Sequence, residues 1–71
     1  MPSVYERKFG RTVRSLRIEN KLTQQAAADR YECTLRYWQF LEQGQNVSLR
    51  AILKLAKVLR TKPTKLVEGL D

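Results

Sequence analysis

Arg36 and Gln39 stand three residues apart, with Thr34 and Leu35 directly before them. On a helix that spacing places Arg36 and Gln39 on neighbouring positions of one face. Their side chains suit the reading of base edges: an arginine fork matches guanine O6 and N7, and a glutamine amide bridges adenine N6 and N7. Thr34 adds a hydroxyl, and Leu35 can either meet a thymine methyl or pack locally. The competing reading of all four is an ordinary solvated helix surface. Gln24 brings a different chemistry, because a glutamine at the start of a helix can hold a phosphate together with the free backbone N–H groups there. Gln45 and Asn46 are either further phosphate ligands or plain turn residues.

No reacting group accompanies them. Histidine is absent and Cys33 is the single cysteine, so the chain has no ordinary metal-ligand set and no internal disulfide. A thiol without a histidine to activate it is a poor nucleophile, and Cys33 reads as a small core residue rather than a redox sensor. With no nucleophile and base, no metal cluster and no phosphate loop, the chain is not expected to be an enzyme, to carry a cofactor or to bind a small molecule.

The charge balance points to a polyanion. Lys and Arg number 14 against 7 Asp and Glu, a net charge of +7, which fits double-stranded nucleic acid as partner or, less specifically, a basic soluble surface. An anionic membrane fits less well, since no helix pairs a strongly basic face with a bulky aromatic one. No apolar run is long enough for a signal peptide or a membrane span, so a cytoplasmic location is expected. The 71 residues allow one domain, residues 1–71, with a thin core. Without disulfides, such a core needs good helix packing or an oligomer.

The elements that must position these residues follow from caps and periodicity. Residues 1–4 form a loose arm, and Ser3 with Glu6 makes a capping box that starts a first helix close to Val4. Phe9, Val13 and Leu16 give that helix its apolar face, and Arg7, Arg11 and Arg14 share another. Gly10 inside it implies close approach by a second element or a frayed turn. Asn20 and Lys21 end it. Thr23 caps a second helix from Gln24 to about Tyr31, Glu32 and Cys33 turn, and Thr34 caps a third helix from Leu35 to about Gln43 with Trp38 and Leu41 inward. Gly44 terminates it. Ser48 then caps a fourth helix whose stripe is Leu49, Ile52, Leu53, Ala56 and Leu59, with Arg50, Lys54 and Lys57 opposite. Pro63 opens a short fifth helix with Leu66, Val67 and Leu70 as its apolar positions. The fold class is all-α with five helices, and residues 23–43 read as a helix-turn-helix, whose second helix enters the DNA major groove.

These residues resemble the lambda-repressor and Cro-like helix-turn-helix family of small bacterial and phage transcriptional regulators, over roughly residues 9–67. Ala28 matches the small residue at the helix crossing. Ala27, Tyr31, Cys33, Trp38 and Leu41 match the apolar positions. LTQ at 22–24, EQG at 42–44 and SL…ILKLAKVL at 48–59 also look like the family, and the NVSL segment resembles a subset that includes restriction–modification controllers. Glu32 stands where the family usually has glycine, at a position that commonly takes a left-handed conformation costing another residue about 1 kcal/mol, and Arg60 stands where glycine often follows the fourth helix.

The resemblance implies a phosphate role for Gln24 and a semi-buried ion pair between Arg17 and Glu42. Arg17 would brace the first helix against the third and still reach a phosphate. Tyr37 would pack at an edge and offer its hydroxyl to a phosphate. Phe40, where a polar residue is usual, would contact DNA sugars, a partner subunit or, by default, a neighbouring side chain. Val47, Leu66, Val67 and Leu70 exceed what a thin core can hide, and the resemblance implies a two-fold interface there. A homodimer on a palindromic operator is the expected function, and a protein-interaction module such as the antitoxin of a toxin–antitoxin pair is the alternative.

Overall fold

Helix formation starts at Ser3. Its hydroxyl accepts from the Glu6 N–H while the Glu6 carboxylate accepts from the Ser3 N–H at 2.8 Å, the reciprocal arrangement expected of S-x-x-E. The computed structural model describes residues 2–45 and 47–70. In it the capping box opens α1 (Val4–Glu19), followed by α2 (Gln24–Tyr31), α3 (Leu35–Glu42), α4 (Leu49–Val58) and α5 (Pro63–Val67). The architecture is all-α, with no strand among the described residues. The expected arm is shorter than residues 1–4, because the capping box already makes Val4 helical. Asn46 lies outside the described residues.

Local chemistry explains where each helix begins and ends. Thr23, Thr34 and Ser48 each accept from a backbone N–H three residues on, satisfying one of the donors a helix start leaves open. Pro63 occupies the first position of α5, where its missing N–H costs nothing. Helix exits are left-handed. Glu32 has φ 66° and ψ 47°, Arg60 has φ 53° and Gly44 has φ 84°. Lys21, expected to end the first helix, joins them at φ 58°, a left-handed conformation that its residue type does not signal.

One core joins all five helices. Phe9, Val13 and Leu16 from α1 meet Ala27, Ala28 and Tyr31 from α2, Trp38 and Leu41 from α3, Leu55 and Leu59 from the α4 segment, and Leu66 from α5. Asn20 ties the ends of α1 and α4, its Nδ2 donating to the carbonyls of Leu16 at 2.8 Å and Leu59 at 2.9 Å. Gly10 marks a backbone-to-backbone crossing: a Cβ there would collide with the Glu42 carbonyl and stand 2.6 Å from the Gly44 nitrogen. A Cβ on Gly44 would in turn collide with the Glu6 carbonyl. Helix α1 therefore lies directly against the C-terminal end of α3. No helix among the described residues is long and apolar enough to cross a membrane.

Two further expectations fail. On α4, Leu49 and Leu53 are 72% and 48% exposed, while Ala51, Leu55 and Val58 are buried with Ala56 and Leu59. Two overlapping stripes can be drawn on this helix. The one taken centres on Leu55 and buries the small residues Ala51 and Ala56, with α4 packed against the alanine-rich α2. Lys54 consequently does not stand on an opposite face; its Nζ sits 4.5 Å from the centroid of the Tyr31 ring. The second failure is Leu66, expected at an interface between copies. It is fully enclosed by the core and has no surface left to offer.

Candidate nucleic-acid interface

Helix α3 divides sharply between its faces. Trp38 and Leu41 are wholly buried, whereas Thr34, Leu35 and Arg36 are exposed and Gln39 is half-buried at the margin. The Thr34 hydroxyl is engaged as the cap, accepting from the Tyr37 N–H at 3.1 Å, which leaves its proton and one lone pair for a ligand. Arg36 is not fully extended: its guanidinium carbon lies 5.5 Å from the centroid of the Phe40 ring, one turn along. That stacking is favourable and restricts the rotamers of a long side chain. It also gives Phe40 a neighbouring side chain as its partner. Tyr37 packs at the helix edge, its ring 6.0 Å from that of Tyr31.

A single carboxylate organises the underside. Glu42 Oε2 accepts from Arg17 Nε at 2.5 Å and from Trp38 Nε1 at 2.5 Å, and Oε1 accepts from Gln24 Nε2 at 3.1 Å and from Arg17 Nη2 at 3.4 Å. The Arg17 and Glu42 side chains are only 12% and 6% exposed, so this is an enclosed pair with its lone pairs satisfied. Arg17 also donates through Nη1 to the Leu22 carbonyl at 2.8 Å, which clamps the loop entering α2. Gln24 passes the network outward, its Oε1 accepting from Gln39 Nε2 at 3.3 Å. Gln24 and Gln39 thus sit side by side, although they lie fifteen positions apart in sequence.

Around this network the surface is basic and amide-rich. Arg14 lines a shallow groove with Gln24, Gln39, Glu42 and Gln43. Arg7 and Arg11 line the adjoining one with Glu42, Gln43 and Gln45. Gln45 donates to the Gln43 side chain at 3.0 Å. Arg7, Arg11 and Arg14 of α1, with Gln43, are neighbours of the predicted site that the sequence pattern alone assigns to a general solvated surface. Their i, i+4, i+7 spacing beside Gly10 was the available signal. Cys33 stands outside the site, half-buried at the turn, and burial raises its thiol above the usual range.

Comparison with known proteins agrees with this geometry. Residues 8–68 match the family described as Helix-turn-helix domain. Among solved structures, the chain is similar to the restriction-modification controller protein C.AhdI from Aeromonas hydrophila, with 40% identity, a TM-score of 0.78, and coverage of 86% of this chain and 94% of that one. It also resembles the clp gene regulator ClgR from C. glutamicum, with 19% identity, a TM-score of 0.86, and coverage of 96% of this chain and 90% of that one; this likeness concerns the fold. No curated protein sequence matches the chain. An α2–turn–α3 unit closed on a five-helix core, matched over nearly its whole length, places the chain in the helix-turn-helix family of DNA-binding transcriptional regulators.

Proposed function

We propose that the chain is a sequence-specific regulator that docks α3 in the major groove of an approximately palindromic operator as a homodimer, acting in the cytoplasm. The observation that carries this reading is the division of α3, which buries Trp38 and Leu41 while leaving Leu35, Arg36 and Gln39 on its outward side. Arg36 pairs with a guanine, Gln39 with an adenine and Leu35 with a thymine methyl, and the Thr34 hydroxyl donates to a nearby acceptor. Gln24, Tyr37, Gln45 and Asn46 hold backbone phosphates. Arg17 braces Glu42 with two of its donors, gives a third to the Leu22 carbonyl and keeps others for a phosphate.

Two copies would set their α3 helices about one DNA turn apart. Exposed apolar side chains at Leu49, Leu53 and Val67, together with the half-buried Val47 and Leu70, are the apolar groups available for that contact. Likeness to a restriction-modification controller at 40% identity supports a controller-type regulator.

Selection of bound duplexes from a random pool, with the mass of the complex measured in parallel, tests the whole reading. A palindromic consensus bound by two chains is expected. Absence of enrichment at low salt, together with a stoichiometric protein partner, would favour the interaction-module alternative instead.

A further inference from the structure

Arg7, Arg11 and Arg14 are all exposed, and none pairs with a carboxylate among the described residues. Seven residues of helix span about 10 Å, so the three guanidiniums form a short linear ridge rather than a cluster. Two grooves place that ridge. Both include Glu42 and Gln43; one carries Arg7 and Arg11 toward Gln45, and the other carries Arg14 toward Gln24 and Gln39. The ridge is therefore continuous with the start of α2 and the outer side of α3. Its position is built in by the Gly10 crossing, where the absent Cβ lets α1 rest on the backbone at Glu42 and Gly44.

Resting on the DNA-binding reading above, we propose that Arg7, Arg11 and Arg14 form a phosphate track that grips the sugar–phosphate backbone alongside the groove occupied by α3. An arginine fork matches two phosphate oxygens at once. Because α1 crosses the end of α3 rather than lying parallel to it in the groove, the track meets the backbone and not the base edges. Its contribution is the same on every sequence. The ridge lengthens the footprint beyond the bases read by Arg36 and Gln39 and sets the register of α3 by anchoring its far end.

The test compares two triple variants that remove equal charge. One is Arg7→Gln, Arg11→Gln, Arg14→Gln; the other is Arg30→Gln, Lys57→Gln, Arg60→Gln, three exposed residues around a groove at the C-terminal ends of α2 and α4. Binding is measured on the duplex selected from the random pool and on a random-sequence duplex of equal length, over a salt series. The ridge variant should flatten the log–log salt slope by about 0.9 for each phosphate it no longer neutralises, with an unchanged ratio between the two duplexes. The control should change the slope by less than the equivalent of one phosphate. Equal flattening in both variants would overturn the track in favour of long-range attraction, as would a ridge variant that changes only the ratio. Failure of the unmodified protein to bind either duplex at low salt would overturn the DNA reading itself, and the track with it.

Discussion

The Trp38 indole N–H donates to Glu42 Oε2 at 2.5 Å across one turn of α3, joining the largest core side chain to the most enclosed carboxylate among the described residues. The same carboxylate takes hydrogen bonds from α1 through Arg17 and from the start of α2 through Gln24. Three helices are thus referenced to one residue, and the exposed side of α3 is aimed by what happens on its buried side.

Glu42→Ala should cost about 3–5 kcal/mol, since it strands the Arg17 charge and the Trp38 N–H in an enclosed site. Glu42→Gln should cost less, because it keeps an acceptor for the indole. Urea denaturation followed by the fluorescence of the single tryptophan measures both; equal stability of Glu42→Ala and the unmodified protein would show that the network holds nothing in place.

Gly10→Ala has an unusual sign for a helix interior. On propensity it should gain up to about 1 kcal/mol. The Cβ meets backbone atoms rather than a flexible side chain, so the outcome should be a net loss of about 1–3 kcal/mol. Thermal melts decide between the two signs.

Glu32→Gly relieves a left-handed residue at the turn itself. The relief of about 1 kcal/mol, less the extra freedom glycine gives the unfolded chain, should leave a small gain on the order of 0.5 kcal/mol. A rise in Tm of a few degrees is expected, and a fall would mean that the Glu32 side chain makes a contact worth more than the strain.

Alkaline pH should destabilise the fold in two stages. Burial raises the Cys33 thiol and the Tyr31 phenol above their usual ranges, so the folded state keeps both protons to higher pH than the unfolded chain does. Their contribution is complete below the ordinary thiol range and is lost as pH rises through it toward the folded values, thiol first and phenol after. In Cys33→Ala the first stage should vanish while the second remains, as read from Tm against pH.

Phe40→Leu keeps an apolar side chain but removes the ring under Arg36. Preference for the selected duplex over random DNA should fall several-fold, toward that of Arg36→Ala, while affinity for random DNA is nearly constant. Phe40→Tyr should preserve the preference. Unchanged discrimination in Phe40→Leu would show that the stacking does not hold Arg36 ready for a base.

Helix limits were readable because each is written locally. Thr23, Thr34 and Ser48 cap where their chemistry says they should, and Trp38 and Leu41 fall inward on an unambiguous stripe. Gly10 and Glu32 were legible as anomalies, one demanding close approach and the other a left-handed turn. What escaped depends on neighbours distant in sequence. Leu49 and Leu53 face out because Ala51 and Leu55 complete an equally good stripe, and only the approach of α2 chooses between them. Leu66 is buried because α5 packs back against α1 and α4, which periodicity in five residues cannot express. The nearness of Arg14 to Gln24 and Gln39 is set by a backbone crossing, not by a pattern of residue types.

The hydrogen bond from Gln39 to Gln24 has a consequence for how such a regulator can change its target. If Gln24 grips a phosphate and Gln39 reads a base, the two tasks share a hydrogen bond and cannot vary independently. A substitution at position 39 that suits a new base pair also releases the Gln24 carbonyl oxygen, and with it one restraint on the phosphate contact. Retargeting would then proceed through paired replacement at positions 24 and 39, with single replacements as weakly binding intermediates. A duplicated copy of the gene would be freer to cross that gap than one still needed at its original operator.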